Sequence, residues 1–144
     1  MSKIYLKTLA GQTRPKNIKK YLIDWDGKSR SMFQFDVKQF LKKYWIGHVV
    51  CEEFPVVGSR MRVDIINFTK SIAVEVNGRQ HQEYNEFFHK NRDGYFQHIQ
   101  RDLDKYNWLN INDIELIEIE EKDLKHLSPE YIKEMFGIAI CGAV

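Results

Sequence analysis

Cysteine is scarce in this chain, which holds Cys51 and Cys141 and no CxxC pair. A disulfide framework and a cysteine-built structural zinc site are therefore not expected, and a reducing, cytoplasmic setting is. No apolar run approaches the roughly 18 residues that a membrane span requires. The opening MSKIYLKTLAGQ has none of the apolar stretch of a secretory leader. Neither a membrane nor a secreted role is expected. Acidic side chains are also sparse at one end: residues 1–50 carry 3 of them against 11 Lys and Arg.

What is present is an ordinary globular balance. The 144 residues are 43% hydrophobic and 29% charged, enough for one domain with its own core. The net charge of +2 conceals a gradient, from +8 over residues 1–50 to −1 over 51–110 and −5 over 111–144. A basic end favours a polyanionic partner, because each phosphate contact releases counterions; a solvated, Lys-rich surface is the plainer reading. Residues 1–30, punctuated by Gly11, Pro15 and Asp26-Gly27, read as a basic, turn-rich arm, and residues 31–144 as the single domain.

Within that domain the periodicities alternate. Ser31 opens a helix in which Phe33, Val37, Phe40, Leu41 and Tyr44 recur at helical spacing, and Gly47 ends it. Strands are expected from Val49 to Pro55, Arg62 to Phe68 and Ile72 to Asn77. A loop from Gly78 to Gly94 precedes a helix from Tyr95 to Asn110, with Ile99, Leu103, Tyr106 and Leu109 on its apolar face. Ile114–Ile119 alternates as a half-buried strand, and Ser128-Pro129 starts a last helix that runs to Phe136. This order predicts a mixed α/β fold, a mixed sheet flanked by helices.

A four-residue link from Phe68 to Ser71 sets Asn67 opposite Ile72, and therefore Asp64 opposite Glu75. Directly opposed side chains have Cβ atoms about 5 Å apart, where two carboxylates repel unless a cation lies between them. Magnesium takes one or two carboxylates and completes its shell with water and phosphate. Both acids stand in apolar strands, where an unpaired charge is costly and a role is expected. The alternative is an acid pair satisfied by Arg60, Arg62 or Arg79. Asn77 shares the face of Glu75, and His81 follows where the chain leaves the sheet, able to position or deprotonate a water. His89 and His98 stand at spacings from His81 that fit no common zinc-ligand pair on a helix. His48 and His126 read as surface residues. Trp25, Trp45 and Trp108 read as core, with Trp25 the one candidate for stacking on a base.

Asp64, then Glu75-Val76-Asn77-Gly78-Arg79-Gln80-His81, resembles the D…E-x-(D/N)-G-x-x-H signature of very-short-patch-repair-like endonucleases. That branch of the PD-(D/E)XK superfamily includes the EDxHD phage homing endonucleases. Asp102, Lys105, Trp108 and Leu109 are similar to its D-x-x-(R/K)-x-x-W-L helix, and Glu53-Phe54-Pro55 to its polar-x-Pro element. The resemblance covers residues 31–119. It departs at Asn77, where the superfamily usually has lysine, and at Gln34, where an acid of the first helix is expected. Ser31-Met32-Phe33-Gln34 also fits a capping box, so Gln34 is read as cap or site residue.

The resemblance implies a restriction-endonuclease-like core and a metal-dependent DNA endonuclease, either a site-specific homing enzyme of phage type, a repair or mismatch nickase, or a junction resolvase. Asp64 and Glu75 would hold magnesium or manganese, with Asn77, His81, Asp102 and Gln34 completing the catalytic set. Lys16, Lys19, Lys20, Lys28, Arg30, Arg60, Arg62, Arg79 and Lys105 are the expected contacts to double-stranded DNA. Cutting both strands calls for two sites, so a homodimer is expected, with the apolar Ile138-Ala139-Ile140 as a contact. Asn77 and Gln34 are the features that favour the other class, a DNA-binding protein with a decayed site.

Overall fold

The computed structural model describes residues 3–77 and 92–142. Two strands, β1 (Lys3–Lys7) and β2 (Thr13–Asn17), form an antiparallel hairpin, followed by a 3-10 turn at Lys19–Tyr21. Helix α1 (Met32–Trp45) leads to β3 (Val50–Pro55), β4 (Arg62–Asn67) and β5 (Ile72–Asn77), then to helix α2 (Arg92–Ile111) and β6 (Glu115–Glu120). A short α3 (Glu121–Leu124) and α4 (Pro129–Phe136) close the order. The main sheet runs β3-β4-β5-β6, antiparallel through its first three strands, with β6 parallel to β5. A parallel neighbour needs a crossover, and α2 is the helix of it among the described residues.

Two apolar layers cover the sheet. Val37, Leu41 and Trp45 of α1 pack with Val50, Ile65, Ile72, Val74, Ile117 and Ile132 on one side. Trp108 and Leu109 of α2 pack with Cys51, Phe54, Val63, Ile66 and Ala73 on the other. Strands buried on both faces lose the alternation of a half-exposed strand, hence the near-continuous Ile and Val of β4 and β5. The helix signals hold: Ser31 Oγ accepts the Gln34 N–H at 3.1 Å, Ser128 Oγ accepts the Tyr131 N–H at 3.0 Å, and Gly137 takes the left-handed φ of 71° that ends α4.

Three expectations are overturned. The turn-rich arm is not separate from the domain: β1 and β2 pair, and Leu6 and Ile18 are buried against the α2 layer. Asn112 clasps the hairpin, accepting the Lys7 N–H at 2.8 Å and donating to the Lys7 carbonyl at 3.1 Å. The apolar face of α2 is rotated from the expected one: Leu103 and Tyr106 are about half exposed, while Trp108 and Leu109 are buried. Ile138 and Ile140 are buried in the protein's own core, so they are not free to form a dimer contact. Trp45 and Trp108 are fully buried and Trp25 packs against the α1 layer. No helix among the described residues is long and apolar enough to cross a membrane.

Candidate active site

The β4–β5 register is the expected one, with Asn67 paired to Ile72, Ile66 to Ala73 and Ile65 to Val74. One step further the ladder gives way to side chains. Glu75 Oε2 accepts the Asp64 N–H and Asp64 Oδ2 accepts the Val76 N–H, each at 2.8 Å. Each acid thus satisfies a strand donor and is held rigidly beside the other.

A third carboxylate joins this row. Glu52 pairs with Ile65 and Phe54 with Val63, which leaves Glu53 unpaired at the position facing Asp64. Its φ is 52°, a left-handed conformation that non-glycine residues rarely adopt. Val50 and Phe54, which a regular strand would place on one face, fall in opposite layers, so β3 turns over at Glu53.

Two cations reach the acids. Arg30 Nη2 lies 3.3 Å from Asp64 Oδ1, and Lys105 Nζ donates to Glu75 Oε1. The alternative of an acid pair satisfied by basic side chains is therefore met in part, but by Arg30 and Lys105. Arg60 and Arg62 are exposed and make no ion pair with either acid. Burial, then the charge of Glu75, pushes the Asp64 carboxyl up to about 7; Glu53 adds to the rise, while the Val76 N–H and Arg30 oppose it.

Beneath the row lies a network that the sequence pattern does not announce. Lys38 is fully buried, and its Nζ donates to Glu52 Oε1 at 3.1 Å and to the carbonyls of Asp24 and Gly27 at 2.9 and 2.8 Å. Glu52 Oε2 accepts from Ser29 Oγ at 2.7 Å and Gln34 Nε2 at 2.9 Å. Gln34 Nε2 also lies 3.3 Å from Glu53 Oε2. Ser31 caps Gln34, but the Gln34 side chain turns to the acids of β3 and not back to the cap. The one signal in the sequence is the stripe Gln34, Lys38, Leu41, Trp45 on α1, polar at its first two positions.

The remaining candidates are dispersed. Asn77 Nδ2 donates to Glu118 Oε2 at 3.3 Å on β6. Asp102 is exposed on α2, one turn before Lys105. Lys19, Lys20 and Lys28 are exposed, and Lys16 and Lys20 place their ammonium groups 5.5 and 5.2 Å from the Tyr21 ring centroid. His48 Nδ1 lies 3.0 Å from Asn67 Nδ2, and His126 is exposed and stacks on Tyr131. Arg79, His81 and His89, with the side chain of His98, lie outside the described residues.

The donor chemistry fits a hard divalent cation. Asp64 and Glu75 offer carboxylate oxygens in the number that magnesium takes from a protein, and each oxygen in use keeps a second lone pair. Among the described residues, no group of three or more His, Cys, Asp or Glu is placed to hold a metal ion, so the fit rests on this pair.

No family model matches the chain, and no solved structure matches it. It is similar to "Uncharacterized protein 033L" of Invertebrate iridescent virus 3, with 35% identity over 65 residues. The match covers 45% of this chain and spans about a third (34%) of the viral protein.

Proposed function

We propose that this chain is a metal-dependent DNA endonuclease with a restriction-endonuclease-like core. The observation that carries the reading is the reciprocal seating of Asp64 and Glu75, which fixes two carboxylates side by side at a point where they raise each other's electrostatic energy. Such an arrangement costs stability and is expected where a site requires it. The strand order β3-β4-β5-β6, with α1 before it and α2 crossing between β5 and β6, supports the fold assignment.

A divalent cation held by Asp64 and Glu75 would neutralise charge at the scissile phosphate and acidify water there. The chain's own residues do the rest. Lys38, Ser29 and Gln34 hold Glu52 and Glu53, and so fix the edge of the row. His81, six residues beyond Glu75 in sequence, takes a proton from the attacking water or holds that water in place. Arg30, 59% exposed, is free to leave Asp64 for a phosphate oxygen, and with it Lys28, Ser29 and Ser31 line a surface pocket that Asp26 also borders. The β1–β2 hairpin and its following turn carry six Lys and Arg and no acid over residues 3–20, the electrostatic footprint of a DNA contact.

Site-specific cutting by a homing enzyme of phage type suits the compact domain with its basic hairpin; a nickase or resolvase would use the same groups. One observation favours a second reading, that of a DNA-binding protein with a decayed site: Arg30 and Lys105 already pair with the two acids.

The test is cleavage of a plasmid library with randomised inserts, in magnesium, manganese or EDTA, by the intact chain and by His81→Ala. Metal-dependent cutting that the substitution abolishes is the expected result. No cutting across the library in any metal favours the binding-only reading.

A further inference from the structure

We propose that Lys105 is a catalytic residue of this site, supplying from helix α2 the fixed ammonium that strand β5 does not carry. The inference rests on the nuclease reading above. Two residues beyond Glu75 stands Asn77, whose amide is engaged with Glu118, so the strand itself brings no cation to the acid pair. Lys105 does, donating to Glu75 Oε1 while the Asp64 N–H donates to Oε2.

The contact is built, not incidental. Trp108 and Leu109 lie three and four residues on, share the helix face of Lys105, and are wholly buried under the sheet. They fix the helical rotation that aims Lys105 at Glu75. The contrast with Arg30 is informative: its side chain is 59% exposed and rises from the coil before α1, whereas that of Lys105 is 20% exposed against a Glu75 that is 11% exposed. A covered ammonium anchored on a helix acts at much lower effective dielectric than a surface one. Exposed ion pairs contribute little to stability, and this one is mostly covered.

In the reaction, the oxygen of a water forms the new bond to phosphorus as the bond from phosphorus to the 3′ oxygen breaks. The water's proton passes to solvent, and the departing 3′ oxygen takes a proton from solvent. Lys105 exchanges no proton. Its charge faces the phosphate oxygens on which negative charge builds, a stabilisation that is stronger in the transition state than in the bound substrate.

The experiment compares single-turnover cleavage of the best duplex from the library by the parent, Lys105→Met, Lys105→Arg and Lys105→Cys, the last in a Cys141→Ser background. The Met variant keeps the stem that packs on the helix and should lose about a hundredfold or more in rate, with a far smaller loss of DNA affinity in EDTA and a lowered melting temperature, because Glu75 loses its covering cation. Treating Lys105→Cys with 2-bromoethylamine rebuilds the lysine side chain with sulfur in place of one methylene and should restore cleavage. Manganese binding, read by electron paramagnetic resonance, should be kept or tightened in Lys105→Met. A Met variant that cuts at the parent rate overturns the assignment, and so does one that no longer binds manganese, since Lys105 would then be a prop for Glu75. A parent that cuts nothing overturns the nuclease reading and this assignment with it; a cutting parent beside an unaffected variant overturns this assignment alone.

Discussion

Asp64 and Glu75 each accept a backbone N–H at 2.8 Å, Glu75 from Asp64 itself and Asp64 from Val76. The two strands are therefore joined at this point by acid side chains where a ladder of carbonyls would serve, and the acids cannot separate without unpairing a buried donor. This seating holds like charges together, and Asp64 bears the consequence, its carboxyl being pushed up to about 7.

Asp64→Asn should stabilise the metal-free protein, in a pH-dependent way. A carboxyl raised from the usual value of about 4 to about 7 favours the folded state while protonated; that contribution is full below pH 4 and is lost as pH rises through 7. Denaturant melts in EDTA should show the variant ahead of the parent at pH 8, on the order of a few kcal/mol, with the gap closing at pH 4. A gap of equal size at both pH values would contradict the charge-crowding account.

Lys38→Met removes the ammonium that satisfies Glu52 and the carbonyls of Asp24 and Gly27, leaving Glu52 as a poorly compensated charge. The expected loss is about 3–5 kcal/mol in a urea melt. A double substitution with Glu52→Gln should recover part of it. If Lys38→Met is neutral, the network does not hold the edge of the acid row.

Gln34→Glu restores an acid on the first helix, where the resemblance expects one, but sets it against Glu52 and Glu53. Thermal melts should fall in EDTA and recover in manganese, because an added carboxylate strengthens a cation's hold. An unchanged melt in both conditions would separate Gln34 from the site.

The Asp64–Glu75 register was legible because a short link between two apolar strands fixes which residues oppose, and the acids were conspicuous in them. The caps at Ser31 and Ser128 were legible for a similar local reason. Helix α2 was harder: Leu103 and Tyr106 compete with Trp108 and Leu109 for the buried side, and only docking on the sheet decides between them. The hairpin was hidden because β2, Thr-Arg-Pro-Lys-Asn, is polar throughout and holds a proline; what fixes it is distant, the burial of Leu6 and Ile18 and the Asn112 clasp. Glu53 was noted only in the Glu53-Phe54-Pro55 element; its place beside Asp64 depends on a left-handed backbone that no local pattern announces. The pairing of Lys105 with Glu75 joins residues far apart in sequence and needed the fold.

Neutralising Lys16, Lys19 and Lys20 together should weaken DNA binding alike for all sequences. The slope of log affinity against log salt should become shallower by about 2–3, near 0.9 for every phosphate that no longer meets a cation. Fluorescence anisotropy across a salt series measures this. A change in sequence preference with an unchanged slope would place base reading, not phosphate binding, on the hairpin.

The most direct test of the central claim is manganese-dependent cleavage of the randomised library by Asp64→Ala beside the parent, with DNA binding measured in EDTA. The account predicts a parent that cuts and a variant that binds DNA as well yet does not cut. A variant that still cuts, or a parent that is inert with every metal while binding DNA, would contradict it.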